Sequence, residues 1–185
     1  SLSIEGYHVT EEMIQRLQDG KWNPDRDDVD FDQRNALAAK GYVLSFRSVM
    51  KSLMDVLNGS NAGQVFTRDA QTWYRDLFTP LVQSQLIQAP TLAGYRNHPV
   101  YISNSRHVPL PHAAIPEAMG ALEELLIEEK NAAVRAILGH FIFVYIHPYP
   151  DGNGRMGRFL MNLMLVSGGY PWTVVRVTER ARYMS

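Results

Sequence analysis

The chain has 185 residues, 45% of them hydrophobic and 20% charged, with a formal net charge of -1; it can bury one substantial core, and it has no general affinity for nucleic acid or membrane surfaces, so any basic site must be local. The absence of cysteine excludes disulfides and thiolate metal sites. The longest apolar run, Phe141 to Ile146, falls far short of the roughly 20 residues that span a bilayer, so a cytoplasmic location with no membrane or direct nucleic-acid contact is expected. Beginning at Ser1 without methionine and ending at Ser185 after a charged, helix-compatible segment, residues 1–185 read as a single domain cut from a longer chain.

Thr10 is a good N-cap, Glu11 and Glu12 occupy the favourable first turn, and Gly20 closes a predicted helix over 11–19. After a polar loop, apolar residues recur at helical spacing from Phe31 through Leu37, Val43, Phe46, Met50, Leu53 and Leu57, with Asn58-Gly59 as the stop and Gly41 as a candidate break. A third helix is predicted after Thr67, covering Trp73, Tyr74 and Leu77, with Thr79-Pro80 read as the cap and first position of a further turn. From Gly94 onward Pro99, Pro109, Pro111 and Pro116 rule out a continuous helix, and Val100-Tyr101-Ile102 favours a strand, which predicts a small β-hairpin over 94–103. Helices resume from Pro116 to about Glu129 and from about Asn131 to Ile146. The second of these is apolar nearly all round, the pattern of a helix buried at the centre of a bundle. It must stop at His147, because a residue before proline is disfavoured in the α region. A last helix from about Gly154 to Val166 is closed by Gly168-Gly169 and Pro171. The fold class is therefore all-α, mainly a helical bundle, with one small hairpin.

The chemistry concentrates in HPYPDGNGRMGR, residues 147–158. Gly152 and Gly154 flank Asn153 and permit a backbone whose N–H groups point into one concavity, to which the next helix adds its own unsatisfied N–H groups. Arg155 and Arg158 share one face at that helix start, where cations oppose the macrodipole by about 0.3 to 1 kcal/mol each. A polyphosphate would satisfy both arginines and the loop amides together. Asp151 would repel bare phosphate, a conflict that a bridging Mg²⁺ removes. His147 is the candidate general base, with an ordinary pKa close to neutrality. Taken singly, a histidine at a helix end caps or packs, Gly-Asn-Gly is a turn, and two arginines are solvated. Their joint spacing favours a site. A zinc centre from His140, His147 and Asp151 has no HExxH or cysteine pair behind it, and the sequence carries no Walker A loop. His8, His98, His107 and His112 have no comparable setting.

These twelve residues resemble the signature HPFx[D/E]GNGRxxR of Fic domains, with Tyr149 in place of the usual Phe. GYRNHPVYI and MNLMLVSGGYP also resemble their Fic counterparts, so the resemblance extends over essentially the whole chain and implies the Fic fold. It further implies transfer of AMP from ATP to a Ser, Thr or Tyr hydroxyl of a target protein, possibly the chain itself. In that scheme His147 deprotonates the hydroxyl and Asp151 holds Mg²⁺ against the α and β phosphates. Gly152, Asn153 and Gly154 form the anion hole, Arg155 contacts the polyphosphate and Arg158 the γ-phosphate.

The hairpin corresponds to the flap that binds target backbone by adding a strand, here through Gly94, Tyr95, Arg96, Val100, Tyr101 and Ile102. Ser1, Glu5 and Gly6 resemble the inhibitory motif [S/T]xxxE[G/N]. A pairing of Glu5 with Arg158 would occupy the γ-phosphate position and hold the enzyme weakly active. Two other readings of the same fold stay open: a transferase using another donor such as UTP, and a nucleotide-sensing module with little transfer. The target, the base of the nucleotide and the oligomeric state, a dimer among the options, are not readable.

Overall fold

The chain is described as a computed structural model over residues 2–5, 10, 12, 15, 31–102 and 105–184, with only the main chain described for Leu2, Glu5, Phe31 to Gln33 and Met184. Its frame is five long helices: α1 (Phe31–Leu57), α2 (Ala62–Gln83), α3 (Ile115–Glu128), α4 (Ala132–Ile146) and α5 (Asn153–Ser167). A short α6 (Arg180–Met184) follows, and a 3-10 turn (Leu2–Glu5) opens the chain. Of the predicted helix over 11–19, Glu12 and Gln15 have helical backbone and the rest lies outside the described residues.

Helices α1 and α2 pair antiparallel, joined by the short link at 58–61. Serines inside α1 bridge them: Ser45 Oγ donates to the Trp73 carbonyl at 2.8 Å and Ser52 Oγ to Asp69 Oδ2 at 2.6 Å. Gly41 is no break, since α1 runs through it. It is the point where the two backbones meet, and a Cβ there would lie 2.0 Å from the Leu77 carbonyl oxygen.

Helix α2 starts at Ala62, earlier than predicted, because Asn61 is a better cap than Thr67: its Oδ1 accepts from Gln64 N while its Nδ2 donates to the Ile127 carbonyl. The same helix continues past Thr79-Pro80 to Gln83. One turn from the end, proline forfeits a single ladder bond, and burial of Leu77, Phe78 and Leu81 holds the turn. Ser84 closes it with N and Oγ both on the Pro80 carbonyl.

The core joins Phe66, Trp73, Tyr74, Phe143, Met156, Phe159 and Leu163 with aliphatic residues of every long helix. Helix α4 is less enclosed than its composition predicts. Ala136, Gly139, Phe143 and Ile146 are buried, whereas Ile137 and Phe141 are 69% and 64% exposed. Small residues on the buried side let α5 approach closely, and that side alone is covered.

The predicted hairpin is not formed among the described residues: 94–102 is a series of bends and extended backbone without a strand. Pro99 has no N–H to give a ladder, and Arg96 N donates instead to the Pro148 carbonyl at 2.9 Å. The fold is all-α without it. Among the described residues, no helix is long and apolar enough to cross a membrane.

The crossing at Gly41 makes a prediction. Gly41→Ala should destabilise by about 1 to 3 kcal/mol through overpacking against backbone. Gly120→Ala, at a helical glycine whose added methyl would meet nothing within 4 Å, should stabilise by about 0.5 to 1 kcal/mol. Urea denaturation of both variants checks the pair, and equal effects would refute the close crossing.

Candidate active site

Pro148 ends α4, and His147 leaves the helix in the left-handed region, φ 54° and ψ 60°. A non-glycine residue there costs about 1 to 3 kcal/mol and persists only when its surroundings fix it. Three contacts do so. His147 N donates to the Phe143 carbonyl at 3.0 Å, its carbonyl accepts from Arg96 Nε at 2.8 Å, and its ring Nδ1 lies 3.3 Å from the Val144 carbonyl. A carbonyl can only accept, so Nδ1 carries the proton in the neutral ring and Nε2 keeps the lone pair. Burial, first of all, and then the charge of Arg96 push the imidazole below its usual 6.5, against the opposing Val144 contact. This ring is uncharged near pH 7, as a base must be.

The loop is built around Asn153. Its Oδ1 accepts from Tyr149 N at 2.9 Å and its Nδ2 donates to the Tyr149 carbonyl at 2.8 Å, so the side-chain amide locks the turn from inside. Tyr149 is buried and stacks on Tyr74 with centroids 3.8 Å apart, so the substitution of Tyr for Phe is accommodated by aromatic packing. Gly152 caps α5 with φ 81° and no side-chain bond. A Cβ there would meet Phe78 at 2.9 Å. Only glycine fits, and no side-chain oxygen competes for the first N–H groups of the helix.

Arg155 is 1% exposed. Its Nη2 pairs with Asp151 Oδ2 at 3.2 Å, and its Cζ lies 5.1 Å from the Phe78 ring centroid. Asp151 faces outward, 64% exposed, and also accepts from Gly152 N. Arg158 is buried with its Cζ 6.0 Å from the Tyr183 ring centroid. Tyr183 in turn meets His140 Nε2 through its hydroxyl at 2.8 Å. Thus His147, Asp151, Gly152, Asn153, Gly154, Arg155 and Arg158 come together at one loop and helix start. Among the described residues no group of three or more His, Asp and Glu could hold a metal. A single carboxylate such as Asp151 does not suit zinc; it would suit a hard cation whose other ligands are oxygens from outside the protein.

The segment before α3 borders this loop. A cavity of about 510 Å³ is lined by Gly94, Tyr95, Arg96, Asn97, His98 and Pro150. Tyr101 is exposed, and Val100 and Ile102 are half-buried. Arg96, expected to face a target, is 4% exposed and turned inward. Ser1 and Gly6 lie outside the described residues, as does the side chain of Glu5. Sequence reasoning passed over His107, whose ring packs on Tyr145 at 4.2 Å and whose Nε2 lies 2.8 Å from the Tyr145 carbonyl; nothing in its sequence neighbourhood marks it. Tyr183 and Phe78 were likewise invisible, being brought in by the fold.

The family model of the Fic/DOC family matches residues 64–165. A protein adenylyltransferase Fic of Nematostella vectensis is 36% identical over 99 residues, 51% of this chain and 23% of its own length. A probable protein adenylyltransferase of Aquifex aeolicus is 36% identical over 94 residues, covering 50% of this chain and 29% of its own. The chain thus spans under a third of the length of these curated relatives. Among solved structures, C. elegans Fic-1 (residues 134–508) superposes with a TM-score of 0.74 at 22% identity, over 99% of this chain and 51% of that one. A Fic domain containing signaling protein from Bacteroides thetaiotaomicron gives 0.72 at 18%, over 98% and 66%. At those identities the likeness is one of fold.

Two expectations follow from the site. Asn153→Ala leaves the buried N–H and carbonyl of Tyr149 unpaired, at a cost of about 1 to 3 kcal/mol in denaturant unfolding; no loss would mean that the loop is held otherwise. Burial lowers both His140 and His147, so the unfolded chain takes up protons near 6.5 that the native state refuses. Stability is then full above that range and falls as pH drops through it, which unfolding at pH about 7.5 and about 6 measures. In an NMR titration His147 should show its midpoint below 6.5, and a value above it would contradict the burial argument.

Proposed function

The chain belongs to the Fic/DOC family, and from that premise we propose that it is a protein adenylyltransferase, transferring AMP from ATP to a Ser, Thr or Tyr hydroxyl of a protein. The observation that carries the reading is the convergence of a neutral His147, an outward Asp151 and a glycine-capped helix start within one rigid loop. Nε2 of His147 takes the hydroxyl proton, the target oxygen bonds to the α-phosphorus, and the bond to the β-phosphate bridge breaks to release pyrophosphate. Nothing covalent passes through the enzyme; positioning and electrostatic stabilisation supply the rate.

The main-chain N–H groups of Asn153 and Gly154 would receive the phosphate charge, since the Asn153 side-chain amide is occupied with Tyr149 and the Gly152 N–H with Asp151. Arg155 holds Asp151 from beneath and adds its charge to the same spot. Asp151 would hold Mg²⁺ together with phosphate oxygens, and the ion would supply charge neutralisation for the leaving pyrophosphate. Arg158 would take the γ-phosphate. Gly94, Tyr95, Val100, Tyr101 and Ile102 would border the target, a role supported for Gly94 and Tyr95 by the cavity they line beside Pro150. Glu5 is the proposed inhibitor of Arg158. In support, the main chain of its turn is fixed by Ile4, which is 1% exposed and whose carbonyl accepts from Arg180 Nε at 2.8 Å.

Incubation with Mg²⁺ and labelled ATP tests this. The α-phosphate label should stay on protein and the γ-label should not, with labelling raised by Glu5→Gly and abolished by His147→Ala. Labelling that survives loss of His147 would sink the reading, and a stronger signal from another nucleoside triphosphate would reassign the donor.

A further inference from the structure

Arg96 donates to four main-chain carbonyls: Nε to His147 at 2.8 Å, Nη1 to His98 at 3.0 Å, and Nη2 to Leu110 at 2.6 Å and Ile146 at 3.5 Å. Its own N–H reaches the Pro148 carbonyl at 2.9 Å. Among the described residues no carboxylate pairs with this buried guanidinium. Its counter-charge is the C-terminal end of α4, whose last carbonyls carry the negative end of the helix dipole. The carbonyls of Ile146, His147 and Pro148, three in succession, therefore converge on a single residue. They bracket the point where His147 takes its left-handed conformation.

We infer that Arg96 is the positioning residue for His147, holding the imidazole where it can accept a proton, its guanidinium spent on main-chain carbonyls rather than offered to a target. The inference rests on the adenylyltransferase reading for its rate consequence, though its structural half stands apart from it. With N bonded to Phe143 and the carbonyl held by Arg96, the direction of the His147 side chain is set, and the Val144 carbonyl fixes the ring about that direction. The same guanidinium ties the segment at 98 and the stretch at 110 to the loop. The polypeptide that borders a bound target and the base that would act on it thereby share one clamp. Lysine cannot replace it, because one ammonium cannot span carbonyls arranged for a planar fork.

The test compares Arg96→Met and Arg96→Lys with the parent in the Glu5→Gly background, after thermal melts confirm folding. Loss of the clamp should lower kcat about a hundred-fold, the scale of a small misplacement of a catalytic group, while KM for ATP stays unchanged. Arg96→Lys should not restore it, and added guanidinium ion should partly rescue Arg96→Ala. Independently of activity, the Cα and Cβ chemical shifts of His147 should leave the values of a left-handed residue in Arg96→Met. A folded Arg96→Met with parental kcat and unchanged His147 shifts would overturn the inference. A parent that transfers nothing, with His147 shifts that move on mutation, would remove the adenylyltransferase reading and leave the positioning role standing.

Discussion

The residue before a proline is disfavoured in the α region, and α4 runs directly into Pro148. Everything around the site follows from how that conflict is resolved. His147 turns left-handed, its N–H still bonded back to Phe143, and the chain reverses so that α5 returns antiparallel along α4. The return is close because Gly157 of α5 sits on the surface facing α4: a Cβ there would meet His140 Nδ1 at 2.9 Å and Val144 Cγ2 at 3.0 Å. A looser reversal would separate the base from the helix start that faces it. The link over 147–152 is short enough for Asn153 to brace it by holding Tyr149 alone.

The arginines at the start of α5 are tolerable for a geometric reason. A cation is unfavourable there when its charge lies over the helix end. Arg155 takes its charge sideways to Asp151 and over Phe78, and Asp151 precedes it by four residues, the favourable order for such a pair. Arg158 lies a turn further in, against Tyr183. Each positive group is thus displaced toward an anion or an aromatic face, while Gly152 leaves the N-terminal amides uncovered.

Much of this was legible in the sequence. Periodicity located the helices because each buries a stripe at 3.6-residue spacing, and the Pro148 stop followed from a local steric rule. What failed depended on contacts distant in sequence. Gly41 resembled a break because its neighbour Leu77 is invisible along the chain. Asn61 outperformed Thr67 as a cap partly by reaching Ile127. The hairpin was read from three β-favouring residues, yet the Arg96 N–H and the His98 carbonyl of that segment are bonded to the Pro148 carbonyl and the Arg96 guanidinium instead of to a partner strand. Composition likewise overstated the burial of α4, since an apolar helix can expose one face when its other face carries the small residues. The candidate site residues could be grouped from the sequence because they are contiguous, whereas the bond from Arg96 to His147 joins residues 51 apart and left no local signal.

The same distinction applies to the two ends of the described chain. A four-residue turn has no stability of its own, so the position of Leu2–Glu5 must be imposed from outside. Burial of Ile4 supplies part, and the bond from Arg180 to its carbonyl supplies a direction. Three residues on, Tyr183 bonds His140 and lies beside Arg158. The short α6 is therefore the piece that touches both the opening turn and the inner arginine of the signature. SxxxEG is a weak pattern by itself, and its placement gains meaning only through a helix at the far end of the sequence. The opening turn and Arg158 thus share α6 as a packing neighbour.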